Sequence, residues 1–422
     1  MSLPVRHLPV LQNWDCHVCG NCCKEYQVTI TDEERQRIEA QGWQAQPEFA
    51  DLPLFSRRGP WWARRWQLRR RADGSCIFLS DQGRCRIHER FGAAAKPLPC
   101  RLFPFILVPA GNHWRVGLRF ACPSAAASKG RPLTAHDKDL AEFADQLARR
   151  EGLPGNPSTA DLPPPPLQGR QRVEWSDLMR FVQALLALVR NPADRVERRL
   201  RKCLALASLC RQARFDVVKG GQLTEFLGLI SASLEGEVPA DPAAMPPPSW
   251  MGRVLFRQIL ALFARKDQGP HRGLAAQGRW TLLGAAWRFA RGRGTVPRLN
   301  AFLPETTFEQ VEATPTPRSE EAEQVLERYY SVKVASLQFA GATNFGIAFW
   351  DGLEMLAATY PAIAWLTRAL AQPGIEGLLH AISLVDDHFG FNRILGTPRQ
   401  KLAFRILART GELSRLIAWY GR

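Results

Sequence analysis

The sequence predicts an α+β chain in which a small, irregular, cysteine-rich metal-binding domain with short strands precedes a mostly α-helical region. Three observations predict it. Eight of the ten cysteines lie in the first 122 residues, four of them in the burst Cys16, Cys19, Cys22 and Cys23. Around them, short runs with β-type composition alternate with turn residues, whereas beyond residue 172 the apolar residues recur at helical spacing. Proline-rich stretches at 153–169 and 238–248 interrupt the chain. They divide it into a metal or iron–sulfur domain at 1–130, a helix and proline-rich linker at 131–171, and a helical region at 172–422 with an internal break at 236–249.

In chain order, Val28–Thr31 reads as a short strand that ends at a helix N-cap. Thr31 and Glu34 have the spacing of a capping box, so a helix runs from there to near Gly42. Cys76–Leu79 and Arg84–Ile87 flank the turn Ser80–Gly83 and predict a hairpin, and Phe103–Val108 with Trp114–Phe120 predict a second one. A helix capped by Thr134 leads to Arg150, and another covers 174–190. Asn191 as cap with Pro192 at the first helical position opens a helix through Phe215. A third helix ends before Glu235, and more follow at about 250–266, 277–290, 320–335, 340–358, 361–371, 374–386 and 398–420.

Thiolate is a soft ligand that selects zinc, copper(I) or iron–sulfur clusters. The C-x2-C-x2-CC burst, with Cys76, Cys85, Cys100 and Cys122 behind it, is therefore a pool of eight metal ligands. Zinc takes a tetrahedral set with metal–sulfur distances of about 2.3 Å. Iron–sulfur clusters also take four cysteines, often three close together and one remote before a proline, as in Cys122-Pro123. Adjacent cysteines project differently, so Cys22 and Cys23 imply two sites or one ligand with an accessory sulfur.

A disulfide framework suits short secreted chains. This chain has 422 residues, and its start, MSLPVRHLPVLQNW, lacks the apolar core of a secretory signal. A cytoplasmic protein with reduced thiols is expected. No stretch of 18 uncharged apolar residues occurs, so no transmembrane segment is expected. The net charge of +16 favours anionic partners: nucleic acid, an acidic protein face or membrane headgroups.

The residues Cys16-His-Val-Cys-Gly-Asn-Cys-Cys23, Cys76-Ile-Phe-Leu79, Gly83-Arg-Cys-Arg-Ile-His88 and Cys100-Arg-Leu-Phe-Pro-Phe105 resemble the CxxCxxCC zinc- or iron-chelating proteins. Within these the chain is most similar to the flagellin lysine-N-methylase branch. His88, Gly92, Lys96-Pro97 and Cys100-Arg101 follow its H-x3-G-x3-K-P-x2-C-R pattern, and Val116-Gly-Leu118 with Cys122-Pro123 also match. The resemblance is specific over about 15–125. It implies a zinc or iron–sulfur centre, a [4Fe–4S] cluster foremost, and transfer of a methyl group from S-adenosylmethionine to the lysine of a flagellin-like protein substrate. The chain departs from common methyl-transfer machinery: it has no glycine-rich strand-to-helix loop followed by an acid, and no CxxxCxxC triplet.

Other residues weigh less. His17 could replace a thiolate, and His88 reads as a hydrogen-bonded structural residue. Arg101, Phe103 and Pro104 shape and electrostatically balance a centre. Arg57-Arg58, Arg64-Arg65 and Arg69–Arg71 interleave with Trp61, Trp62 and Trp66, either to stack on bases or clamp an acidic partner, or as a solvated strand or helix whose tryptophans pack on the neighbouring domain. Cys203 and Cys210, seven apart on one helix face, read as core. Asp386, Asp387 and His388 read as a capped helix end. Three functions remain: a lysine N-methylase-like enzyme, a non-catalytic metal-binding module for nucleic acid or an acidic protein, and an electron-transfer protein.

Overall fold

The computed structural model describes residues 3–6, 12–150, 162–267, 269–274, 278–313 and 319–422. Part of the expected linker, 151–161, lies outside them. The first part of the chain runs β1 (Val5–Arg6), α1 (Asn21–Glu25), β2 (Thr29–Ile30), α2 (Asp32–Glu39), β3 (Phe55–Arg58), β4 (Arg65–Leu68), α3 (Arg86–Phe91), α4 (Leu98–Leu102), β5 (Phe105–Ala110), β6 (His113–Leu118), α5 (Pro123–Ala126) and α6 (Asp137–Arg150). Helices then follow one another: α7 (Trp175–Val189), α8 (Val196–Cys210), α9 (Gly220–Glu237), α10 (Trp250–Ala264), α11 (Arg279–Arg291) and α12 (Phe308–Ala313). The chain ends with α13 (Glu320–Ala335), α14 (Phe349–Ala357), α15 (Thr359–Leu370), α16 (Glu376–His388), α17 (Pro398–Arg409) and α18 (Glu412–Tyr420). Short strands near the N-terminus and a mostly helical remainder are the predicted class.

Two three-stranded sheets form. One is antiparallel in the order β2-β4-β3, and the other has the order β1-β6-β5 with β1 parallel to β6. The β5–β6 hairpin pairs Phe105 with Leu118 through Ala110 with His113, as its sequence predicts. The Thr31 capping box forms in full, with the Thr31 hydroxyl accepting from the Glu34 N–H and Glu34 accepting from the Thr31 N–H. The same carboxylate accepts from the Leu98 N–H at 2.7 Å, so one buried side chain starts α2 and ties it to α4.

Several local expectations are corrected. The turn at Ser80–Gly83 closes, but only the Leu79–Cys85 bridge follows, and the second arm becomes α3. The Arg/Trp stretch supplies the unforeseen β3–β4 hairpin. Thr134 lies in a 3-10 turn before α6. The Asn191 side chain accepts from the Ala193 N–H, closing a turn on itself, so α8 starts four residues later than Pro192 predicted. Left-handed Gly411 (φ 74°) splits the expected 398–420 helix into α17 and α18.

Apolar burial falls into two clusters. The small one comprises Ile30, Ile38, Trp43, Phe49, Leu54, Leu68, Ile77, Phe78 and Ile87, with Trp43 edge-on to Phe49 and Phe78. The large one runs from Leu3 to Tyr420 and takes in β5, β6 and α5 together with the helices. Phe120, after β6, meets Tyr329 of α13 at 5.1 Å. Cys203 and Cys210 are buried in this core, as expected.

Candidate metal centre

The cysteine burst folds back on itself because its backbone turns left-handed twice, at Val18 (φ 53°) and Gly20 (φ 70°). Glycine adopts that conformation readily because it has no Cβ, whereas a β-branched valine at positive φ is strained. The loop rests on the Ser80–Arg84 turn, where a Cβ on Gly83 would approach the Val18 carbonyl to 3.3 Å. α1 then carries Cys22 and Cys23, and the Cys76 N–H donates to the Cys23 carbonyl at 2.8 Å. Cys100 rides on α4, Cys122 caps α5 and Cys85 precedes α3. The eight predicted residues thus come from six separate segments and meet in one region.

They line two clefts that share a wall. The first, about 220 Å³, has Cys16, Cys19 and Cys122 with His17, His88 and Trp14. The second, about 350 Å³, has Cys23, Cys76 and Cys85. Cys22 and Cys100, with Lys96 and Phe103, line both. The adjacent pair does not diverge as the sequence predicted. The Cys22 and Cys23 sulfurs sit 3.9 Å apart and both line the second cleft, while Cys22 alone of the two also lines the first. Among the described residues, no three Cys, His, Asp or Glu groups already converge on a single ion position. The thiols surround spaces rather than a point.

The surroundings disfavour free thiolates but place cations and N–H groups beside them. Contact with Cys23, then burial, pushes the Cys22 thiol far up, and burial pushes Cys76 up to about 11. Burial also raises Cys100 and Cys122. Against this, the Lys96 charge acts on Cys22 and Cys100, and the Arg70 charge faces Cys76 and Cys23. Arg70 donates to the Lys24 and Gly74 carbonyls, while its Nε and Nη2 are buried without partners. Trp14 Nε1, also buried without a hydrogen-bond partner, acts on Cys122 in the sense that favours thiolate. Buried cations and N–H groups left over beside a thiol set fit a metal–thiolate centre, whose ligands must shed protons on binding. His17 Nδ1 lies 2.9 Å from the Asp15 carbonyl and 2.6 Å from the Ser124 hydroxyl, which itself donates to that carbonyl, an arrangement that suits the tautomer with Nε2 open to a metal.

The remaining candidates are placed as follows. Trp66 is sandwiched by Arg35 and Arg57 and donates to Asp32, whereas Trp61 and Trp62 stand exposed at the β3–β4 tip. Asp386 and Asp387 do more than end a helix. Asp386 pairs with buried Lys333 and accepts from the Ala121 N–H, and Asp387 pairs with Lys266 and Arg119. Lys266 also binds Glu25, which holds His271. Burial pushes Asp387 up, but Lys266, His388 and Arg119 outweigh it and hold the carboxyl at about 2. This charged joint next to the thiols, with Glu25, Lys266 and Asp387 lining a third cleft of about 470 Å³, could not be assembled from the sequence, because Lys266 lies 241 residues from Glu25 and 121 from Asp387. Lys96 was legible in the K-P-x2-C-R stretch; Trp14 and Arg70 were not.

No curated protein and no solved structure matches the chain. The model of the CxxCxxCC family, described as a "Putative zinc- or iron-chelating domain", matches residues 15–123, the segment that gathers all eight thiols.

Proposed function

We propose that the thiol module holds two metal centres, one in each cleft. Cys22, Cys76, Cys85 and Cys100 would ligate the one in the larger cleft, with Cys23 beside them. Cys16, Cys19 and Cys122, with His17 Nε2 as fourth donor, would hold the other. The carrying observation is that the thiols line the walls of two adjoining spaces, with Cys22 and Cys100 between them. For the larger cleft an iron–sulfur cluster is the favoured occupant, because its cysteines are spread around some 350 Å³ and its nearby cations offset cluster charge. The mixed sulfur–imidazole set suits zinc.

Anaerobic purification with iron, sulfide and zinc analysis and a visible spectrum tests this. Iron, sulfide and zinc together are expected, with the colour lost in Cys76→Ser and the zinc in Cys122→Ser. A colourless protein with zinc alone sinks the cluster.

Methyl transfer from S-adenosylmethionine to a protein lysine rests on the resemblance over about 15–125 alone. Binding of S-adenosylmethionine with a change in the cluster spectrum would support it. No binding would leave electron transfer or a structural metal as the role.

A further inference from the structure

A surplus equal to more than half of the chain's net charge of +16 falls on one segment, a helical hairpin with its flanking loops. From Trp250 to Pro304 there are ten Lys and Arg and one acid, Asp267, a surplus of nine out of sixteen. α10 and α11 within it contain no acid at all. Gln258 of α10 donates to the Ala286 carbonyl of α11, and Gly292 abuts the Arg257 guanidinium, so the two helices lie antiparallel.

α11 is apolar on two sides. Ala285 and Phe289 face the core. On the other side Trp280, Leu283 and Trp287, spaced three and four apart, are 85%, 59% and 65% exposed. Trp250 and Met251, roughly two turns upstream of Arg257, are also exposed. A helix with apolar residues all round is normally covered. Arg253, Arg279, Arg288 and Arg291 have no ion-pair partner among the described residues.

We infer that the outer face of the α10–α11 hairpin docks on an anionic lipid surface, with Trp280, Leu283 and Trp287 entering the headgroup layer. Three arguments select this occupant. A second copy would set arginine against arginine, since the face has no acid to answer its own charge. Leu283 and Met251 offer nothing to bases or phosphates, yet aliphatic side chains gain from the acyl boundary. Tryptophan and arginine are the residues that settle at that boundary. Among the described residues, no helix is long and apolar enough to cross a membrane, so the association lies in the plane.

The test is sedimentation of the metal-loaded full chain with sucrose-loaded vesicles of phosphatidylcholine, with and without phosphatidylglycerol. Cosedimentation only with phosphatidylglycerol, weakened by salt and accompanied by a blue shift of tryptophan emission, is expected. R279Q/R288Q/R291Q should weaken binding by roughly a hundredfold. W280S/L283S/W287S should abolish the blue shift. These side chains are exposed, so both variants should keep the wild-type circular dichroism and metal content. Absence of vesicle binding overturns the proposal. So does vesicle binding that W280S/L283S/W287S leaves unchanged, or preferential binding to a single-stranded oligonucleotide. A concentration-dependent dimer lost in W280S/L283S/W287S likewise overturns it, because the face is then covered by a second copy.

Discussion

The two apolar cores close on the same cysteines but are held together by different means. The small core has nine buried apolar side chains between Ile30 and Ile87, with short strands and one two-turn helix around them. A unit of about that size buries too little surface to be secure alone. The large core stacks Trp350, Trp365, Tyr329, Tyr330 and Tyr360 between helices and encloses the paired charges Arg201–Glu197 and Lys333–Asp386. Cys76 and Cys85 belong to the small core's edge, while Cys122 belongs to the large one and Cys100 sits on α4 between them. A metal that bridges these sulfurs therefore rivets a weak unit to a strong one.

Metal removal should break the comparison open, and its effect should be the largest. Structural zinc contributes on the order of 10 kcal/mol to small metal domains. Chelator treatment or Cys76→Ser should strip hydrogen-exchange protection from residues 28–95 while α13 to α16 stay protected. If the helices lose protection together with the small core, the two units are one and the contrast fails.

Truncating one phenylalanine in each core sharpens the contrast. Phe78 packs on Trp43 and Phe49, and Phe181 packs on Phe215 and Trp350. Each substitution to alanine costs about 3–5 kcal/mol. In the small core that is comparable to its whole reserve, so Phe78→Ala should release metal and open residues 28–95. Phe181→Ala should only lower the thermal midpoint, with metal content unchanged. Equal metal loss in both variants would mean that the cores share one reserve.

What the sequence made legible follows the same divide. Local signals were readable: the Thr31 capping box, the β5–β6 hairpin, the helix at 320–335 and the thiol pool itself. Readings failed where two local rules competed, as at Asn191, whose side chain closed a turn instead of capping a helix. They also failed where tertiary contact decides the outcome. Nothing in the order of residues places Glu25 against Lys266, or divides eight thiols between two clefts, because those arrangements depend on how α1, α4 and α5 pack.

The smallest predicted effect concerns pH, where the two cores should respond with opposite sign. Metal binding in the thiol module releases protons, so the small unit gains stability as pH rises. In the large core, burial raises Glu354 to about 7, even though Arg211 donates to it at 2.9 Å and pulls the other way. A carboxyl raised above its unfolded value of 4.5 binds its proton more tightly in the native state. Its contribution is therefore complete below about 4.5 and is lost as pH climbs through about 7. Glu354→Gln fixes the neutral form, while Arg211 keeps Asp351 as its partner at 2.7 Å. Relative to the wild type, the variant's unfolding free energy should therefore improve between pH 5 and pH 8, by on the order of 2 kcal/mol. Denaturant unfolding followed by helical circular dichroism at the two pH values measures the difference. A flat difference would mean that Arg211 holds Glu354 ionised throughout, and that the large core, like the small one, buries its charge only when paired.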